Sequence, residues 1–238
     1  MIEIQSYLEE IQQAAYENRK MLAILIDPDK FNEAGVSEFI QDIPENVTHI
    51  FVGGSTVETG RTCAVVKAIK NVCGLPTILF PGDHSQISTH ADALLFLSLI
   101  SGRNPEFLIE QQVRSVEKIK NTNLEIIPTG YILIDGGRET SVQKVSNTIP
   151  LPQNNIQQIV NTALAGQYSG KKLIYLEAGS GAKFPVSSEI IQAIKEAINI
   201  PVIVGGGICS KQQLQLAYDA GADLVVIGTA FENGSFQD

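Results

Sequence analysis

The chain is poor in residues that staple a fold or chelate a transition metal. Its three cysteines, Cys63, Cys73 and Cys209, are an odd number spread over 238 residues without metal-type spacing. They read as free thiols in a reducing compartment, not as a disulfide framework. Basic residues are also few, 17 against 26 acidic ones, for a formal net charge of −9. That balance argues against nucleic acid or an anionic membrane as a non-specific partner. It leaves an anionic substrate open, because glycine-rich amides, helix N-termini or a divalent cation can supply local positive potential. No apolar run approaches the ~18 residues of a membrane span. The opening "MIEIQSYLEEIQQAAYENRK" carries acids and no apolar core segment, so it does not read as a secretory signal. These absences together point to the cytoplasm. No internal repeat, low-complexity segment or domain boundary is visible, and residues 1–238 are expected to form one domain.

What the chain does have is a succession of short apolar runs rich in β-branched residues. They are "MLAILID" (21–27), "HIFVGG" (49–54), "TILFPG" (77–82) and "ALLFLS" (93–98), then "EIIPTGYILI" (125–134), "KLIYLEA" (172–178), "PVIVGGG" (201–207) and "DLVVIGT" (223–229). Continuous apolar character without in–out alternation suits parallel strands covered on both faces. Between them the period changes. "SSEIIQAIKEAINI" sets Ile190, Ile191, Ile194 and Ile198 on one helical stripe, with Ser187 or Ser188 as N-cap. Ser210 with Gln213 forms a capping-box pattern, and Gly221 closes the helix that follows. A similar helix runs through "GRTCAVVKAIKNVCG" to Gly74, and an opening helix over about residues 3–20 precedes the first strand, where it could cover a barrel's base.

Eight buried strands and intervening helices in this length favour a (β/α)8 barrel over a doubly wound open sheet. Two places fit poorly. Only "DHSQISTHAD" separates the third and fourth strands, too little for a full helix, and the polar tract 138–155 is irregular. The tract reads either as a surface loop or as a lid bordering an active site.

Barrel active sites lie at the C-terminal ends of the strands, so the residues leaving each strand matter most. The sixth strand ends in "YLEAGSGA", the seventh in Gly205-Gly206-Gly207, and the eighth in Gly228-Thr229. Three consecutive glycine turns on one rim let backbone N–H groups converge on an anion, and the last two loops are a frequent phosphate cradle. Glu177 stands beside that cradle. A carboxylate there would repel phosphate, so it is expected to reach a neighbouring hydroxyl and take its proton. Tyr175, two residues earlier on the same strand, points the same way and either donates its hydroxyl to the ligand or fills the barrel. Across the mouth, "LIDPDK" holds Asp27 at the rim ahead of Pro28. One carboxylate with phosphate oxygens and water is how magnesium is usually held, and Ser55 and Thr56 after the second strand could join it. Asp29 is a second acid that reads as starting a turn.

Other polar residues offer less. His49 precedes a strand and reads as structural; Asp83, His84 and His90 lack a further ligand that would complete a zinc site. No Ser-His-Asp arrangement stands out, and no lysine lies within a predicted strand as a Schiff-base former. Arg103 and Asn104 follow the fourth strand and either line the site or form a loop.

Together, "LIDPDK", "FVGGST", "LFPGDHSQIS", "LLFLSLISGRNP", "PTGYILIDGG", "YLEAGSGA", "VIVGGGI" and "VVIGTAFE" resemble the geranylgeranylglyceryl phosphate synthase family over nearly the whole chain. The resemblance implies a modified (β/α)8 TIM barrel whose third helix is replaced by a loop. It implies a prenyltransferase that joins sn-glycerol 1-phosphate to a polyprenyl diphosphate with Mg²⁺, forming an ether and releasing diphosphate. By the motif match, Asp27 and Ser55 are the magnesium ligands. Tyr175, Leu176, Glu177, Ala178, Gly179, Ser180 and Gly181, with Gly206, Gly207, Gly228 and Thr229, hold glycerol 1-phosphate. Some relatives carry a lysine two residues before the first-strand aspartate; this chain has Leu25, so that contact does not transfer. Phe80, Phe96 and the 77–107 region supply apolar surface for a prenyl tail. The family's dimers and larger assemblies imply a homo-oligomer, although no interface signature is visible. The competing reading is another phosphate-binding barrel enzyme, such as a sugar-phosphate isomerase or a thiamine-phosphate-synthase-like transferase.

Overall fold

Strands form where consecutive apolar residues can be buried on both faces, and the chain closes them into a ring. In the computed structural model, which describes residues 6–236, the strands are β1 (Met21–Ile26), β2 (His49–Val52), β3 (Thr77–Leu79), β4 (Ala93–Leu99), β5 (Glu125–Leu133), β6 (Leu173–Glu177), β7 (Val202–Gly205) and β8 (Leu224–Ile227). Each pairs in parallel with the next, and β8 returns to β1 with Leu224 opposite Met21, closing the barrel. All eight apolar runs become strands. β2, β3, β7 and β8 stop within their runs, before Gly53-Gly54, Pro81-Gly82, Gly206-Gly207 and Gly228, because those residues leave the ladder to build the rim.

Side chains sort alternately into two cores. Phe51, Ile78, Leu95, Ile127, Tyr175, Ile203 and Leu224 fill the barrel, whereas Ile50, Val52, Leu94, Ile132, Leu176 and Val225 pack outward against helices. Those helices are α1 (Tyr7–Tyr16), α2 (Val36–Gln41), α3 (Arg61–Lys70), α4 (Gln111–Ile119), α5 (Ser141–Ser146), α6 (Ile156–Tyr168), α7 (Ser188–Ala197), α8 (Lys211–Asp219) and α9 (Thr229–Glu232). A π-helical turn, Glu106–Glu110, leads into α4. Ile11 and Ala14 of α1 join the inner core, so this helix plugs the bottom of the barrel. Glu125 fixes it there by accepting from Ser6 Oγ and from the amides of Tyr7 and Leu8. The start of the expected 3–20 helix lies outside the described residues.

Residues 80–92, between β3 and β4, contain no helix. This is the loop that the resemblance implies, and beside it Phe96 on the outer face of β4 is only partly buried. The 138–155 tract is not a plain loop: Thr140 caps α5 by accepting from the Gln143 amide. His49 does not precede β2 but begins it. It is fully buried, and desolvation depresses its imidazole to about 4, so it stays neutral and structural.

Two acids tie the bottom of the ring in the same way. Asp92, just before β4, binds Lys70 of α3 and the Thr77 amide of β3. Asp223, just before β8, binds Lys195 of α7 at 2.6 Å and the Val202 amide of β7 at 2.8 Å. Asp223→Ala strands a buried amide and removes a charge-assisted bond. It is expected to cost about 2–3 kcal/mol, read as a lower urea midpoint with an unchanged m-value.

Candidate active site

The rim loops surround a cavity of about 530 Å³ at the C-terminal ends of the strands. Its floor is aromatic. Tyr175 stacks on Phe80 at 4.8 Å and on Tyr131 at 5.4 Å inside the barrel. Burial raises both phenols well above their usual range, so they remain protonated. Phe80 thus belongs to the barrel floor, whereas Phe96 turns outward and lines the cavity with Ile87, Leu94 and Phe107 where the helix after β3 is missing.

Glu177 ends β6 directly above Tyr175 and is only 6% exposed. One carboxylate oxygen accepts from the Gly179 amide at 2.7 Å. The other lies beside Tyr175 Oη: a Cβ placed on Gly205 would fall 3.1 Å from Glu177 Oε2 and 2.3 Å from the phenol oxygen. Apart from this carboxylate, Tyr175 Oη has no hydrogen-bond partner among the described residues. Desolvation raises the Glu177 carboxyl to about 7, against the opposing effect of its hydrogen bonds. A group poised there can take a proton at neutral pH, which is what a general base requires.

The glycine turns gather around it. Gly179, Gly181, Gly206 and Gly207 all adopt positive φ, between +65° and +98°. Ser180, Gly181, Gly206 and Gly207 line the cavity, and their amides make no hydrogen bond among the described residues. Ser180 Oγ and Thr229 Oγ1, 2.8 Å apart, join the β6 and β8 loops, and Gly228 completes the rim ahead of α9. Unpartnered amides converging from two loops, together with two hydroxyls, are a suitable cradle for a phosphate. Leu176 and Ala178 behave differently: both pack in the outer core, and neither side chain lines the cavity.

Across the mouth, Asp27 and Ser55 line the same cavity. The amides of Lys30 and Phe31 both bond Asp27 O at 3.1 Å, closing the Pro28 turn. Asp29 also lines the cavity, but its carboxylate accepts from the Glu58 amide and so helps build the loop. Asp27 N donates to Glu232 of α9 at 3.0 Å. Burial raises the Glu232 carboxyl despite that bond.

Arg103 is outside the cavity and bonds the carbonyls of Ile100 and Gly102. Asn104 also lies outside it, but donates to Ser146 O and so secures α5, whose Ser141, Val142 and Val145 form one wall. Two contributors escaped sequence reasoning. One is α5 itself, signalled by Thr140-Ser141-Val142-Gln143. The other is Gln86, buried in the 80–92 loop, which accepts from Gly54 N and donates to Gly54 O, fixing the Ser55 turn. No local pattern announces that contact, because its partners are 32 residues apart.

A PcrB family profile matches residues 14–238. A geranylgeranylglyceryl phosphate synthase of Zunongwangia profunda is 58% identical over 97% of this chain and 98% of that protein. One from Pyrococcus furiosus is 42% identical over 93% of this chain and 89% of that protein. The crystal structure of (S)-3-O-geranylgeranylglyceryl phosphate synthase from Thermoplasma acidophilum, in complex with sn-glycerol-1-phosphate, superposes with a TM-score of 0.88 at 32% identity, covering 96% of this chain and 92% of the other. A thiamine phosphate pyrophosphorylase from Pyrococcus furiosus shares the fold alone, at 16% identity and a TM-score of 0.57. With its loop in place of the third barrel helix and its motifs intact from β1 to β8, the chain belongs to the PcrB family.

Proposed function

We propose that the protein transfers a polyprenyl group from its diphosphate to a hydroxyl of sn-glycerol 1-phosphate, making an ether and releasing diphosphate. The observation that carries this reading is the buried Glu177 carboxyl, poised near 7 between a set of unpartnered amides and an apolar groove. The amides of Ser180, Gly181, Gly206 and Gly207, with Thr229, hold the phosphate. The glycerol chain then extends towards Glu177, which takes the proton of the attacking hydroxyl as the C–O bond forms. Tyr175 supports the same end of the site from below, its hydroxyl lying beside the Glu177 carboxylate. Phe96, Phe107, Ile87 and Leu94 receive the tail on the outer face of β4, where there is no helix to fill the space.

Asp27 and Ser55 present hard oxygen donors at the opposite lip, with room in the cavity for phosphate oxygens and water to complete a coordination sphere. They fit Mg²⁺, which when bound supplies Lewis-acid neutralisation of the departing diphosphate. Alignment of the two reactants accounts for much of the remaining acceleration. Among the described residues no helix is long and apolar enough to cross a membrane. With three free cysteines, we place the reaction in the cytoplasm.

The test is to incubate purified protein with Mg²⁺, each enantiomer of glycerol phosphate and prenyl diphosphates of graded length. Ether product is followed by mass spectrometry and diphosphate release by a coupled assay. Product with the sn-1 enantiomer supports the reading; turnover of glycerol phosphate without diphosphate release overturns it. Asp27→Ala is expected to abolish turnover at every Mg²⁺ concentration, while calorimetry still records glycerol 1-phosphate binding. Undiminished turnover would remove Asp27 as a metal ligand.

A further inference from the structure

Two anionic reactants enter a cavity that is itself acidic. Asp27, Asp29, Asp83, Glu177 and Glu232 all line it, and among the described residues Lys30 is the only lysine or arginine in the lining. That single cation is not aimed at the phosphate cradle. Its Nζ lies 2.7 Å from Asp27 Oδ2, on the carboxylate assigned to the metal. The Pro28 turn fixes the Lys30 backbone, but the ammonium sits at the end of a flexible four-carbon stem with 61% of its side chain exposed.

We propose that Lys30 is an exchangeable counter-ion that neutralises Asp27 in the empty site and passes to the prenyl diphosphate once Asp27 binds the metal. This assignment rests on the prenyl-transfer reading. An ion pair whose lysine is mostly exposed is weak and contributes at most about fivefold to an equilibrium, so it yields readily to a divalent cation. A diphosphate held at the metal has oxygens beside Asp27, and the released ammonium is already within reach of them. Glu232, which accepts from the Asp27 amide, is a second carboxyl group in the same part of the cavity.

Lys30→Met and Lys30→Arg test the exchange without any turnover. Mn²⁺ binding is followed by electron paramagnetic resonance with and without inorganic pyrophosphate. In the absence of pyrophosphate, Lys30→Met is expected to bind Mn²⁺ about 3–5-fold more tightly, because a competitor is gone. With Mn²⁺ saturating, the same variant is expected to bind pyrophosphate about tenfold more weakly. Linkage then requires pyrophosphate to tighten Mn²⁺ binding more in the parent protein than in Lys30→Met. Lys30→Arg keeps most of the pyrophosphate affinity. If either affinity is unchanged in Lys30→Met, the exchange is wrong. A parent protein that fails to transfer prenyl groups instead sinks the functional reading, so the two failures are distinguishable.

Discussion

Glu177→Gln is expected to lower kcat by about 10²–10⁴-fold, the range for loss of a positioned general base, with little change in the affinity for glycerol 1-phosphate. Gln preserves the shape of the side chain and can still accept from the Gly179 amide at the place Glu177 Oε1 occupies. It cannot take a proton. In the parent enzyme burial raises the carboxyl to about 7, so kcat/KM is expected to rise through that pH as the base becomes available. The variant loses this limb of the profile. Stability moves the other way. A carboxyl whose pKa is raised by folding makes no penalty below its unfolded value of 4.5 and its full penalty above about 7. The difference corresponds to roughly 3 kcal/mol. Glu177→Gln removes it, so the variant is expected to melt at a higher temperature than the parent at pH 8 and to match it near pH 4. A variant slower, but no more stable at pH 8, would mean that the carboxyl is not desolvated in solution. An unchanged kcat would remove Glu177 as the base.

The same contrast between buried cost and local order explains what could be read from the sequence. Strands were legible because burial on both faces leaves a local mark, an unbroken apolar run. The glycine turns after β6, β7 and β8 were legible because the backbone conformation they adopt is itself a residue preference. α7 was equally open, and Ile190, Ile191 and Ile194 are buried as the stripe predicts. The Ser210 cap formed as read, with one adjustment: Gln213 Oε1 accepts from Cys209 N, one residue before the cap, instead of completing the box on Ser210. What escaped was set by partners distant in sequence. Gln86 holds a loop that belongs to β2, Asp223 joins α7 to β7, and Glu125 anchors a helix more than a hundred residues earlier. Leu176 and Ala178 show what a contiguous motif does not distinguish: alternation along β6 turns their side chains into the outer core, away from the cavity that Tyr175 and Glu177 line.

Gly206→Val separates the cradle's geometry from its mere flexibility. Gly206 has φ +82°, and a Cβ added there would fall 2.4 Å from Glu177 Oε1 and 2.5 Å from the Gly179 amide nitrogen. Both are partners in the bond that orients the base, so the side chain cannot enter without breaking it. The left-handed conformation adds about 1–2 kcal/mol of strain for any L-residue, and the contact adds about 1–3 kcal/mol of overpacking. Catalysis suffers twice: the phosphate loses the bare backbone it approaches, and the carboxylate is displaced. A fall in kcat/KM for glycerol 1-phosphate of at least ~10³-fold is expected, from loss of aligned amides and of the base together. Gly170→Val supplies the control. Its φ is +89° and nothing lies within 4 Å of its Cβ position, so it carries the strain without the collision. It should lose comparable backbone stability and keep full activity. If Gly206→Val retained a normal KM and kcat, or if Gly170→Val lost activity to the same extent, the β7 turn would be a chain reversal only and the phosphate would have to be held elsewhere on the rim.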